Sequence, residues 1–95
     1  GYTPLHLACQ HGRLEAIKVL LRHGVDFRAK THAGRTPLHG ACYKGDVKVV
    51  EMLLKHGADT KAKNRVRTGG DTPLHHACVE GHVKVVEMLL KYGAD

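Results

Sequence analysis

The sequence predicts an all-α protein in which antiparallel helix pairs stack side by side and are joined by protruding loops. Two observations lead to this fold class. A ten-residue segment occurs three times, and an amphipathic helical pattern follows each copy. The segments are TPLHLACQHG at residues 3–12, TPLHGACYKG at 36–45 and TPLHHACVEG at 72–81. Their starts lie 33 and 36 residues apart, a period typical of stacked repeat architectures.

The first helix of each unit is predicted from the residues at its two ends. A threonine hydroxyl can accept a backbone N–H that lacks a partner, and proline at the first helical position removes no donor that the helix needs. A glycine follows where a helix commonly ends in a left-handed residue. The proline and closing glycine are Pro4 and Gly12, Pro37 and Gly45, and Pro73 and Gly81.

The second helix of each unit is predicted from apolar residues at helical spacing. The segments read RLEAIKVLLRHG, DVKVVEMLLKHG and HVKVVEMLLKYG. Helices this short are unstable alone, so stacking is the source of stability. The residues predicted to form the buried stripe are Leu14, Ile17, Leu20 and Leu21 in the first unit, Val47, Val50, Leu53 and Leu54 in the second, and Val83, Val86, Leu89 and Leu90 in the third.

Polar linkers, VDFRAKTHAGR and ADTKAKNRVRTGGD, connect the units. They contain turn residues and no helical apolar pattern, so each is predicted to form a protruding two-stranded loop. The second linker has three more residues than the first, and this insertion is placed around residues 64–70. The net charge is +6, and the linkers hold much of the excess. Such a basic stripe favours acidic partners.

Composition limits the class of protein. With 95 residues, 42% of them apolar but only 4% aromatic, a single domain with an aliphatic core is expected. No apolar run approaches the ~20 residues of a membrane-spanning helix. Cys9, Cys42 and Cys78 hold one motif position, and stacked helices would place them ~8–10 Å apart, beyond the ~7 Å reach of a disulfide. We therefore expect reduced core cysteines and an intracellular location.

The whole chain resembles three ankyrin repeats. The resemblance rests on the G-x-T-P-L-H-x-A-C motif, the V-K-V-V-E-M-L-L-K-x-G-A-D segment and the 33-residue period. It implies a solenoid of helix pairs, each followed by a β-hairpin. It divides the single domain, residues 1–95, into repeats at about 1–33, 34–69 and 70–95, the last one truncated. The ends lack a polar capping pattern, so we expect a piece excised from a longer array, monomeric or weakly associating end to end.

Histidine and cysteine recur three residues apart in each motif, a spacing that can present two zinc ligands on one helix face. The pairs belong to successive repeats, so a four-ligand zinc site would need ligands from two different repeats. The resemblance instead implies a structural hydrogen-bond network for Thr3 with His6, Thr36 with His39, and Thr72 with His75.

No residue pattern predicts catalysis. The chain contains no serine, the cysteines are expected on buried helix faces, and TGGD lacks the flanking strand and helix of a phosphate-binding loop. We therefore predict no enzyme activity, no cofactor and no metal. The remaining histidines, His76 and His82 among them, are interpreted as ordinary surface or helix-end residues.

The positions that differ between repeats predict the binding surface. The resemblance implies that the pair before the first-helix glycine, the residue before the motif threonine and the hairpin residues line a concave face that binds another protein. We predict an acidic partner segment, with Tyr43 as anchor and with Arg65 and Arg67 gripping carboxylates. The predicted partner-binding residues are Tyr2, Gln10, His11, Lys30, His32, Arg35, Tyr43, Lys44, Lys63, Arg65, Val66, Arg67, Asp71, Val79 and Glu80.

Three alternatives remain open at this point. The same hairpins could bind nucleic acid or anionic lipid, although aromatic residues are not interleaved with the charges and no helix carries a dense basic run. The chain could be a structural or engineered scaffold without its own partner, because VKVVEMLLK occurs identically at residues 47–55 and 83–91. The basic tips could also be merely solvated.

Overall fold

The computed structural model describes residues 2–65 and 70–93. This part of the chain forms six helices and no strand. The helices are α1 (Pro4–Gln10), α2 (Leu14–Arg22), α3 (Pro37–Lys44), α4 (Val47–Lys55), α5 (Pro73–Glu80) and α6 (Val83–Lys91). Helices α1, α3 and α5 stack in a first layer, and α2, α4 and α6 stack in a second layer against it. The predicted all-α fold of stacked helix pairs is confirmed.

Each first-layer helix begins with a cap in which the motif histidine contacts the motif threonine. The motif threonine precedes the helix in an extended conformation, with ψ at 167° in all three repeats. Its backbone N–H donates to Nδ1 of the histidine three residues later, at 3.2 Å in α1, 2.9 Å in α3 and 3.0 Å in α5. Proline in between has no backbone N–H that needs an acceptor. The Thr-Pro-Leu-His sequence therefore encodes the start of each helix.

The other ring nitrogen of these histidines joins successive repeats. Because Nδ1 accepts from the threonine, the proton of the neutral ring lies on Nε2. The Nε2 of His6 donates to the carbonyl of Arg35 at 3.0 Å, and that of His39 donates to the carbonyl of Asp71 at 2.9 Å. We call this contact the histidine bridge. Among the described residues, the ring of His75 hydrogen-bonds only to Thr72 of its own cap.

The buried stripe of the second layer differs from the prediction. Val49 and Val85, which the chosen spacing does not select, are completely buried. Val83 is 68% exposed and Leu90 53% exposed, so the prediction is wrong at these two positions. Helix α4 is covered on both flanks, by α2 and α6, whereas within the described chain α6 has a second-layer neighbour on one flank only. The apolar side chains on its other flank therefore remain exposed.

The expectation of three core cysteines is correct for two of them. Cys9 and Cys42 are buried, whereas Cys78 is exposed, and all three are free thiols. Helices α1 and α3 each have a further helix pair stacked on them, and within the described chain α5 has none beyond it. Burial raises the pKa of Cys9 and of Cys42 to about 12. Both thiols are therefore protonated and unreactive at neutral pH.

The linkers are closed by single residue pairs. In the first linker the backbone N–H of Thr31 donates to the carbonyl of Arg35 at 2.9 Å, and the Arg35 N–H donates to Thr31 Oγ1 at 3.2 Å. In the second, the Asn64 N–H donates to the carbonyl of Asp71 at 3.0 Å, and the Asp71 N–H donates to Asn64 Oδ1 at 2.8 Å. The described linker residues contain no strand. In each linker, a side-chain oxygen rather than a backbone carbonyl accepts one of the two closing hydrogen bonds. The predicted β-hairpin is therefore not confirmed.

Thiol labelling tests this arrangement of the cysteines. We expect an aromatic disulfide reagent to modify one thiol per native chain, Cys78, because burial and a high pKa protect the other two. All three should react in denaturant. Replacing Cys78 with serine should abolish the fast native reaction. Rapid modification of Cys9 or Cys42 in the native protein would contradict the stacking.

The buried histidine bridge predicts acid sensitivity. Burial lowers the pKa of His39 from 6.5 to about 4, and the nearby charges of His76 and Arg35 act in the same direction, while the hydrogen bond to Asp71 opposes it. Unfolded protein then binds more protons than folded protein between these values. The contribution of His39 to the free energy of unfolding is fully present above its unfolded pKa of about 6.5. It is lost as the pH falls to about 4, a decline of about 3 kcal/mol from this one group.

Urea denaturation across this pH range measures the effect. The His39→Gln variant should be less stable at neutral pH but should lose less stability on acidification. His11→Gln, at an exposed position, is the matched control and should retain the full decline. An unchanged pH dependence in His39→Gln would rule out His39 as the responsible group.

Candidate partner-binding site

The exposed side of the first layer carries side chains that differ between repeats. Tyr43, near the end of α3, is 52% exposed. Gln10 and Val79 hold the equivalent positions in α1 and α5 and are also exposed. Because α1, α3 and α5 lie side by side, these three residues form a row. The fold leaves this variable side chain of each repeat exposed on the surface.

A cluster of aromatic rings lies between α3 and α5. The ring of His76 is half-buried and meets the rings of His39 and Tyr43 edge-on, at centroid distances of 5.5 Å and 6.5 Å. The Nε2 of His82 donates to the carbonyl of Tyr43 at 3.0 Å. The backbone of Tyr43 is therefore fixed by the following repeat while half of its side chain faces solvent. A fixed, exposed aromatic ring is suited to contact a partner at low entropic cost.

Asn64 makes a hydrogen bond that favours the neutral form of His76. The Asn64 side chain is buried, and its Oδ1 accepts the backbone N–H of Asp71 at 2.8 Å. Its Nδ2 therefore faces His76, 3.3 Å from Nε2. Since an amide nitrogen can only donate, Nε2 of His76 accepts this hydrogen bond and the ring is neutral.

The surroundings of His76 act on its charge in the same direction. Burial lowers the pKa of His76, and the positive charge of Arg35 and a contribution from His75 lower it further, against opposing effects of Asp71 and Glu80. Neutral His76 is thus the favoured form in the free protein. A negative charge brought to this surface would reverse part of that balance.

The predicted site residues fall into three groups. Arg35 and Asp71 are half-buried at the bases of the two linkers, and Val66 and Arg67 lie outside the described residues. The others are exposed, and they are Tyr2, Gln10, His11, Lys30, His32, Tyr43, Lys44, Lys63, Arg65, Val79 and Glu80. Exposure makes each of these available to a partner, and their role in binding stays a prediction.

Two contacts bring predicted residues together. A narrow cleft between α1 and α3 is lined by Tyr2, Gln10 and Arg35 together with residues of the two caps. Further along, the backbone N–H of Arg65 donates to the carbonyl of Ala33, which places the second linker directly against the first. By contrast, Val79 is 81% exposed at the far end of the row. The predicted surface is therefore continuous near the linkers and less so at α5.

His76 is the member of this site that the sequence analysis missed. The sequence alone predicts an ordinary surface residue, because the contacts of His76 come from Asn64 in the linker and from α3 in the preceding repeat. One indication was available. In the T-P-L-H-x-A-C motif the variable residue x is Leu7, Gly40 and His76, and a Cβ at Gly40 would lie 3.8 Å from Gln10. This position faces the preceding repeat.

The second layer offers a different surface. Open grooves of about 350 Å³ between α4 and α6 and about 300 Å³ between α2 and α4 are lined by Met88 or Met52 and by both lysine and glutamate side chains. Within residues 2–65 and 70–93, no group of three or more histidine, cysteine or acidic residues could hold a metal ion. No helix in the same ranges has the length and apolar character to cross a bilayer.

Comparison with known families agrees with the repeat geometry. A family model described as ankyrin repeats in three copies matches residues 1–64. A second model, described as ankyrin repeats in many copies, matches residues 41–90. A search of the curated proteins finds no match for this chain. Ankyrin repeats are generally protein–protein interaction modules and are typically non-catalytic. The chain belongs to the ankyrin-repeat family.

Proposed function

We propose that this domain binds an acidic segment of another protein across the first-layer surface and the linker bases. The proposed contact surface, which we call the basic patch, is centred on Tyr43 and Arg35. Its described members are Lys30, His32, Arg35, Tyr43, Lys44, Lys63 and Arg65. The second layer is the less suitable surface, because its lysines alternate with glutamates.

The observation that carries this proposal is the lack of acidic partners for the cations of the basic patch. In residues 2–65 and 70–93, the ion pair that forms joins Lys18 and Glu15 of α2, at 3.6 Å, on the other layer. Two of the linker carboxylates, those of Asp26 and Asp59, each accept a backbone N–H two residues later. An acidic segment would supply the missing counter-charges.

Arg35 is suited to hold a carboxylate without being needed for the fold. Its hydrogen bonds to His6 and Thr31 use only its backbone atoms. Within residues 2–65 and 70–93 the guanidinium forms no ion pair, so it is available for a paired contact with a carboxylate. Beside it, Tyr43 offers apolar area with a hydroxyl at its tip, the combination that often dominates interface energies.

Charge reversal at Arg35 tests the proposal. With a rhodamine-labelled deca-aspartate peptide as the ligand, fluorescence anisotropy should report about tenfold weaker binding for Arg35→Glu, equivalent to about 1.4 kcal/mol. Lys48→Glu, the same charge change on exposed α4, is the matched control and should bind within about twofold of wild type. Circular dichroism should report equal helical content in both variants.

Two outcomes would contradict the proposal. One is equal weakening by Arg35→Glu and Lys48→Glu, which would indicate a general charge effect. The other is tighter, more salt-sensitive binding of random-sequence DNA or anionic vesicles than of the peptide, which would favour a polyanion-binding surface.

Truncation of Tyr43 tests the anchor on a natural partner. Proteins retained from a cell lysate by the wild-type domain should be identified and then measured singly against Tyr43→Ala. We expect about tenfold or greater loss of affinity for the true partner, because truncating an interface anchor typically costs about 2 kcal/mol. A partner that binds Tyr43→Ala and wild type equally would place the anchor elsewhere.

A further inference from the structure

We propose that His76 makes binding at this surface proton-linked, so that the domain holds an acidic segment more tightly as the pH falls below neutral. This inference rests on the proposed function and adds its regulation. It assigns to His76 a role as the proton-accepting contact of the site.

The hydrogen bond from Asn64 opposes protonation of His76 at Nε2. Its Nδ2 lies 3.3 Å from His76 Nε2, and its Oδ1 is occupied by the N–H of Asp71. A proton on Nε2 would place two donors opposite each other. Rotating the amide would not relieve this without breaking the contact with Asp71, which closes the second linker. Protonated His76 must therefore find an acceptor other than Asn64.

Charged groups around the ring also act on the protonation of His76. From α3, the rings of His39 and Tyr43 contact His76, and the charge of Arg35, two residues before that helix, acts on it. From the second linker it faces Asp71, and on its own helix His75 and Glu80 act on it. The cationic neighbours oppose a proton on His76, and the two carboxylates do not outweigh them and the cost of burial.

A bound carboxylate would change the charges around His76. A carboxylate resting on Arg35 and Tyr43 would lie beside the His76 ring, since Tyr43 packs edge-on against that ring. It would neutralise Arg35 and offer the acceptor that protonated His76 lacks. The proton affinity of His76 is then higher in the complex than in the free protein.

Binding of the acidic segment and protonation of His76 therefore strengthen each other. Because the complex holds the His76 proton more strongly, binding takes up a proton wherever the pH lies between the pKa of the free form and that of the bound form. By reciprocity, lowering the pH through this window strengthens binding. A pKa difference of one unit would correspond to about a tenfold change in affinity.

The binding experiment uses the labelled deca-aspartate peptide at pH ~7.5 and ~5.5, where aspartate remains ionised. The dissociation constant at pH ~7.5 divided by that at pH ~5.5 should be at least about three times larger for wild type than for His76→Gln. His11→Gln and His32→Gln, exposed histidines of the predicted site, should change this ratio less than His76→Gln does. Circular dichroism at both pH values establishes that each variant is folded.

Nuclear magnetic resonance gives a readout that a purely structural role would not alter. The His76 ring resonances should titrate at higher pH in the presence of the peptide than in its absence. His76→Leu provides a second variant, since Leu7 holds the same motif position in the first repeat, and it should also lose the extra pH dependence.

The outcomes separate the two proposals. If the peptide binds at neither pH, the proposed function and the proton linkage are both overturned. Binding that weakens in Arg35→Glu, with an unshifted His76 titration and an unchanged pH ratio in His76→Gln, would overturn only the proton linkage.

Discussion

The structure depends on the histidine bridge between successive repeats. One imidazole caps its own helix through Nδ1 and holds the next repeat through Nε2, as His6 and His39 do. Each hydrogen bond adds only about 1 kcal/mol, but a buried polar group left without its partner would cost about 1–3 kcal/mol. Short helices that are unstable alone are thereby fixed in register. At His39 the cap requires a neutral ring, because Nδ1 accepts the N–H of Thr36, and this links the stability of the stack to pH.

The same constraint gives three histidines of one protein different properties. His39, between two repeats, is completely buried and strongly resists protonation. His75 holds the equivalent motif position but is exposed, because within the described chain no repeat follows it. His76, its neighbour, is half-buried and has one hydrogen-bond partner from a linker. Environment, rather than motif position, therefore decides how deeply each imidazole is buried and what it contacts.

Local sequence predicted the parts of the fold that local interactions determine. The Thr-Pro start of each first-layer helix and the glycine after it were identifiable because a cap involves residues close in the chain. The exposure of Cys78 and the exposed flank of α6 were not, since they depend on which elements have neighbours. His76 was missed for the same reason. Its key contact, Asn64, is twelve residues away in a linker, and no periodic pattern relates the two.

In the proposed site, the fold uses the backbone of residues whose side chains would contact the partner. The bridges accept on the carbonyls of Arg35 and Asp71, and His82 contacts the carbonyl of Tyr43. Any residue supplies a carbonyl, so stacking places little demand on these three side chains. They can change from repeat to repeat without loss of register. The positions that join the repeats are consequently also positions at which a partner's chemistry can be matched.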